Sequence, residues 1–184
     1  HFAFGTSTAT VAGCGNTDVP GGTGTSNIEE FDGSSWTEVT NHPTSAIGWN
    51  QCGWGTLTAG VVAGTGGTLA ATSFEYDGTN WASTGDMVDA TRHLACSGIQ
   101  TAGLVMGGRA PGITNKSQYY DGSAFSAAPT LASARTSGAT GTSAPQAASL
   151  FFTGEDPGAN STATEEFNNT FEVVTQGAWA SGGA

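Results

Sequence analysis

The sequence predicts an all-β fold of four antiparallel units with four strands each, and two repeating blocks carry that prediction. The first is an aromatic-Asp-Gly-x-x-aromatic hexapeptide, present as Phe31-Asp32-Gly33-Ser34-Ser35-Trp36, Tyr76-Asp77-Gly78-Thr79-Asn80-Trp81 and Tyr120-Asp121-Gly122-Ser123-Ala124-Phe125. These copies lie 45 and 44 residues apart, and a degraded fourth begins at Phe167, 47 residues further on. The second is a short apolar run ending in glycine upstream of each copy: 10–13, 60–64, 103–108 and 149–154. Two blocks recurring in step mark tandem supersecondary units, none of which buries its faces alone. The units run at about 1–42, 43–87, 88–131 and 132–184, within a single domain spanning 1–184.

Each element follows from its residues. Segments such as His93-Leu94-Ala95-Cys96-Ser97, with a Gly98-Ile99-Gln100 turn behind them, read as a first strand of small residues, A. The apolar run is strand B. The hexapeptide is a hairpin joining C to D, because Asp and Gly accept the backbone of a tight turn and the flanking aromatics become packing residues. A lone meander is marginal in water, so successive units stack face to face, with Trp36, Trp81 and Phe125 expected between neighbours. Radial stacking gives a propeller, in which small A and B side chains suit the crowded centre and aromatics fill the wider gaps outside. Four units make the smallest closed ring, or part of a larger one.

Composition narrows the function. The 184 residues include 29 Gly, and 4 Lys+Arg against 15 Asp+Glu give a net charge of −11. Such a surface repels nucleic acid and anionic lipid. No uncharged apolar run reaches the ~18 residues that span a bilayer, and the opening His1-Phe2-Ala3-Phe4 reads as a processed or truncated start. Cys14, Cys52 and Cys96 show no pairing pattern, which leaves their disulfide status and the redox compartment open.

In the third unit Arg92, an apolar strand, Gly107-Gly108, Tyr120-Asp121 and Phe125 follow one another in an order that resembles kelch-type β-propeller repeats. The other units keep less of it: the glycine doublet is Gly64-Thr65, Thr153-Gly154 or Gly13-Cys14, and the leading Arg recurs only as Arg135. The Asp-box of sialidases also combines Asp, Gly and Trp, but separates Asp from Gly by one residue, whereas Asp32-Gly33 and Asp77-Gly78 are adjacent. The kelch resemblance covers nearly the whole chain and implies architecture, not chemistry. The Tyr-Asp-Gly-x-x-Trp wording, poor in Lys and rich in Gly, Ser, Thr and Ala, is similar to repeats encoded by marine bacteriophages and their hosts. That similarity implies a virion or extracellular location and a non-enzymatic structural or adhesion role, as a tail-fibre, spike or capsid-decorating propeller. Its partners would be other virion or surface proteins and host-surface glycans, within an oligomeric assembly, with no nucleic acid and no membrane insertion. A secreted or cell-surface module binding protein or polysaccharide is the alternative, and a fragment of a propeller enzyme the third reading.

Candidate binding residues follow from the topology. In a meander the B–C loops share one face with the D–A connections, and here the B–C loops differ while the Asp-Gly turns are uniform. Variable loops on a rigid frame are where binding concentrates, although tolerated insertion explains them equally well. They offer Asp18, Arg109, Glu155 and Asp156. Trp49 and Trp54 flank strand A of unit two, where other units place small or polar residues. An exposed indole stacks on a sugar or anchors a partner; burial under the Thr37–Ile47 connection is the commoner fate of Trp and the favoured one. Neither Asp86 with Asp89 nor Glu155 with Asp156 supplies a dense oxygen-ligand loop, so no metal is expected. His1, His42 and His93 lack ligand spacing, Tyr76, Tyr119 and Tyr120 sit at repeat positions, and no nucleophile motif occurs, so neither catalysis nor a cofactor is expected.

Overall fold

A computed structural model describes residues 1–16, 24–44, 51–65 and 69–168. These form antiparallel sheet throughout, without a helix. Strands β1 (Phe2–Thr6), β2 (Ala9–Asn16), β3 (Gly24–Phe31) and β4 (Trp36–Val39) pair in chain order as the first sheet. The second sheet is β5 (Cys52–Thr56), β6 (Ala59–Ala63), β7 (Ser73–Tyr76) and β8 (Trp81–Ser83). The third is β9 (Ala95–Ile99), β10 (Ala102–Met106), β11 (Ser117–Tyr120) and β12 (Phe125–Ala128). A two-stranded sheet of β13 (Ala148–Phe152) and β14 (Thr164–Asn168) follows.

The fourth unit therefore departs from the expected four strands. Its first strand is reduced to the isolated bridge Ala139–Phe152, the counterpart of Ala95–Met106 in the third sheet. The segment there is Thr136-Ser137-Gly138-Ala139-Thr140-Gly141. The residues expected to form its last strand lie in 169–184, outside the described residues, as do Asp18 and Trp49.

The hexapeptide turns are uniform. Phe31 pairs with Trp36, Tyr76 with Trp81 and Tyr120 with Phe125. Gly33, Gly78 and Gly122 take φ of +98°, +93° and +98°, a region an L side chain avoids. The Asp carboxylate closes each turn: Asp32 accepts the Ser34 and Ser35 amides at 2.8 and 2.9 Å, and Asp77 and Asp121 repeat the arrangement. These bonds favour the ionised form, led in Asp32 by the Ser35 amide, which brings its pKa down to about 2.

Strand A is displaced from its expected place. β9 begins at Ala95 and runs to Ile99, so Gly98 is inside the strand and not in the turn. The reason is a close approach: a Cβ on Gly98 would sit 2.3 Å from the Ala102 carbonyl oxygen, and Gly5 and Gly55 meet their own hairpins the same way.

Consecutive sheets meet through one size-matched contact. Phe4 of β1 lies over Gly60 of β6, where a Cβ would come within 2.2 Å of the ring. Trp54 of β5 lies over Gly103 of β10 in the same manner, with 2.5 Å from a Cβ to the indole nitrogen. At the third junction, Ser97 of β9 and Ser149 of β13 replace ring and glycine, and their hydroxyls hydrogen-bond at 2.6 Å. A second contact also repeats: the Tyr76 hydroxyl donates to Glu30 of the preceding sheet, and the Tyr120 hydroxyl to Glu75, each at 2.7 Å. Phe167 has no hydroxyl, and it meets Tyr119 edge-on with centroids 6.0 Å apart.

Of the three aromatics expected between units, Phe125 is buried, Trp81 is partly buried, and Trp36 is 51% exposed. Trp81 packs on Phe2 and His42, and Phe125 on Trp54, all from the preceding unit or its connection. Trp36 belongs to the first unit and stacks on Phe31 of its own sheet. Among the described residues the apolar core accordingly falls into three clusters, one at each junction between consecutive units.

Candidate functional site

Residues at the starts of β1, β5 and β9 and from the 138–142 segment of the fourth unit border one cavity of about 300 Å³. His1 with Phe2 and Ala3 of β1, Gln51 with Cys52 and Gly53 of β5, Leu94 with Ala95 and Cys96 of β9, and Gly138, Ala139, Thr140 and Thr142 of the fourth unit line it. Small side chains are what permits this convergence. Cys14, Cys52 and Cys96 are all buried thiols outside any disulfide, and burial, followed by the neighbouring Cys52, pushes the Cys96 thiol well above its ordinary range. Cys96 is thus an inert hydrophobe and not a nucleophile.

The face made by the B–C loops and D–A connections is different in kind, for it holds every cation of the chain. Arg92 lies on the connection into β9, Arg109 and Lys116 on the β10–β11 loop, and Arg135 on the connection into the fourth unit. Arg92 and Arg109 exchange backbone hydrogen bonds, Arg109 N–H to Arg92 O at 2.8 Å and Arg92 N–H to Arg109 O at 3.2 Å. Lys116 pairs with Asp89 at 2.6 Å.

Arg135 is fully buried and staples the fourth unit. Its guanidinium donates to the Ala163 carbonyl and to Glu165, each at 2.6 Å, and to Thr153 O at 3.2 Å, and it sits 4.7 Å over the Phe151 ring. Burial alone would raise the pKa of Glu165, but the Ala132 amide, the Arg135 guanidinium and the Ser133 amide outweigh it and hold the carboxyl below its usual range. Arg135 is not the counterpart of Arg92, as residue type suggested. Gly107 closes on the Arg135 carbonyl as Gly64 closes on that of Thr91, while Gly108 and Gly154 close on Arg92 and Thr136. The registers differ by one residue, and Arg135 occupies the buried position of Thr91.

His93 sits beside this patch with φ of +57°, its Nδ1 3.3 Å from the Ser137 hydroxyl. Burial, then the charges of Arg92 and Arg109, depress its pKa, against the opposing pull of Glu155. The imidazole is therefore held neutral. Of the residues proposed for binding, Arg109 and Glu155 are thus brought within electrostatic reach of one ring. Asp156 spends its carboxylate on its own turn, accepting the Gly158 and Ala159 amides at 2.9 and 3.0 Å.

Trp54 is no part of a binding surface. It is wholly buried, its indole N–H donating to Ile99 O at 3.2 Å and its ring set edge-on to Tyr120 and Phe125. It does not break the repeat: it is the counterpart of Phe4, and the glycine facing it in β10 makes the room. Among the described residues no group of three His, Cys, Asp or Glu is placed to hold a metal, and none forms a helix long and apolar enough to cross a membrane.

Arg92, His93 and Arg135 were legible as residue types and not as a site. The available signal was their clustering: the only four cations of the chain all fall between 92 and 135. Comparison with protein-family models finds no match, and comparison with curated proteins finds none either.

Proposed function

We propose that the chain is a kelch-like β-propeller whose units are set radially about the shared cavity. In this reading it serves as a non-enzymatic structural or adhesion module of a virion or extracellular assembly, a tail-fibre, spike or capsid-decorating element that contacts protein partners and host-surface glycans. The observation that carries the architecture is the convergence of residues from all four units on one cavity. Support for a binding role comes from the contrast between frame and loops. The frame is held by identical Asp-capped turns and repeated inter-unit contacts, while the B–C loops differ in length and charge, which is how rigid repeat scaffolds present variable recognition surfaces. The virion location rests on the resemblance in repeat wording.

Immunogold electron microscopy with an antibody raised against this chain tests the role. Regular labelling of intact particles, at a fixed position on the tail or capsid, is the expected result. Label confined to secreted material or a cell envelope would transfer the same module to a non-viral surface, and turnover of a substrate by the purified chain would overturn the non-enzymatic reading.

A further inference from the structure

The chain has 15 acidic residues and only 4 basic ones, yet it sets two of those four, Arg92 and Arg109, directly opposite each other in an antiparallel bridge. Residues opposed in such a pair project to the same side with their Cβ atoms about 5 Å apart, and like charges there destabilise. The other two cations are neutralised, Lys116 by Asp89 and Arg135 by Glu165. Among the described residues neither Arg92 nor Arg109 forms an ion pair, and the Arg92 Nε is buried without a hydrogen-bond partner. The corresponding bridge of the fourth unit carries Thr136 and Glu155, so the fold does not demand two arginines there. Both side chains are partly withdrawn from water, which strengthens their hold on a counter-charge.

We infer that Arg92 and Arg109 form an oxyanion-binding site for a single carboxylate or sulfate group carried by a ligand. A guanidinium presents a planar fork of donors that matches two oxygens of such a group, and two forks side by side enclose it. The bound anion removes the like-charge repulsion and offers an acceptor to the stranded Nε. His93, held neutral, adds no third charge. A net charge of −11 disfavours a dense polyanion and selects a ligand that brings one charged group to the patch. The inference goes beyond the structural or adhesion role and stands without it: absence of the chain from particles would leave the site intact, and a failed titration would leave particle labelling unaffected.

The test is an NMR titration of the arginine Nε–Hε resonances of the full chain with sodium sulfate, sodium acetate and sodium glucuronate. Ionic strength is held constant with sodium chloride, and glucose is the neutral control. Saturable shifts at Arg92 and Arg109 with one or more of the anions, and none at Arg135, are expected. Sulfate and acetate arms separate the two oxyanion chemistries, and glucuronate shows whether a sugar can carry the group. Arg109→Gln should weaken binding at least tenfold while raising the melting temperature in chloride alone, because it relieves the repulsion. Arg109→Lys, which keeps the charge and loses the fork, should also weaken binding. Shifts that fail to saturate, that chloride reproduces, or that persist in both variants would overturn the inference.

Discussion

The contact of Trp54 with Gly103 offers a rebuilding experiment, because the third junction of the same chain solves the same problem with two serines. Serine at 103 places a Cβ 2.5 Å from the Trp54 indole nitrogen, where the neighbouring indole carbons are also within 2.6 Å. Ordinary contact needs about 3.5 Å, so an overlap of about 1 Å must be relieved by moving a ring that has no free side. Gly103→Ser should therefore cost about 2–3 kcal/mol, the upper part of the overpacking range. Trp54→Ser removes a fully buried indole and should cost about 4 kcal/mol. The double variant recreates the Ser97–Ser149 arrangement, with its 2.6 Å hydroxyl bond. If the junctions are equivalent, the double variant loses less than the sum of the singles, by about 2 kcal/mol, through relief of the clash and a new hydrogen bond. Urea unfolding at pH 7, with a slope of about 2–3 kcal/mol/M for a chain of this size, resolves that difference as nearly 1 M in midpoint. Strict additivity, or a Gly103→Ser variant as stable as the parent, would refute the claim that strand A of one unit seats against strand B of the next.

Other expectations follow from the same contacts. Tyr76→Phe and Tyr120→Phe each remove a hydrogen bond to a carboxylate and should cost about 1.5–2 kcal/mol in urea unfolding. Double-mutant cycles should show coupling for Tyr76 with Glu30 and none with the exposed Glu29, and equal coupling to both would reject the inter-unit bond. Arg135→Met should cost about 2–3 kcal/mol, less than a wholly buried pair because Glu165 is partly exposed and can take up water. Asp32, Asp77, Asp121 and Asp156 have depressed folded pKa values. Their stabilisation is complete above the unfolded value near 4 and is lost as pH falls through the folded value, about 2 for Asp32. Melting temperature should decline from pH 4 toward 2, and less steeply in Asp32→Asn with Asp77→Asn. Burial holds the His42 pKa below its ordinary 6.5, against the Thr44 contact. Its contribution is present above pH 6.5 and is lost as pH falls through the folded value. His42→Phe should flatten that arm of the profile, and an unchanged slope would show that the imidazole is not held neutral.

The sheet pattern was legible because turn chemistry is local. Asp and Gly at a hairpin need only their own neighbours, so Asp32-Gly33, Asp77-Gly78 and Asp121-Gly122 announce their turns wherever the chain goes. What the rings touch is not local. Trp54 looked like an intruder because its partner is a glycine 49 residues away, and an absence of side chain gives no signal until the opposite strand is in place. Trp36 shows the reverse: a residue inside the repeat, identical in type to Trp81, is 51% exposed while Trp81 packs on Phe2 and His42, a difference the repeat itself does not announce. Strand A was misplaced by two residues because Gly98 reads as a turn residue, when its function is to let β9 approach its own return strand. The missing strand A of the fourth unit gave no such signal, because Thr136-Ser137-Gly138-Ala139-Thr140-Gly141 is no poorer in β-forming residues than Ala95-Cys96-Ser97-Gly98-Ile99, which forms β9. Of the loop residues singled out for binding, Arg109 and Glu155 reached a common neighbourhood, but their link, His93, is a strand-entry residue with no motif around it.

The account depends on consecutive units repeating one geometry about a shared cavity. A crystal structure of the chain at side-chain resolution measures this directly. It should show Phe4 over Gly60 and Trp54 over Gly103 related by the same rotation, with Ala3, Gly53, Cys96 and Ala139 bordering one opening. Two sheets packed as layers, with Phe4 and Trp54 in unrelated surroundings and no opening common to the four units, would contradict it.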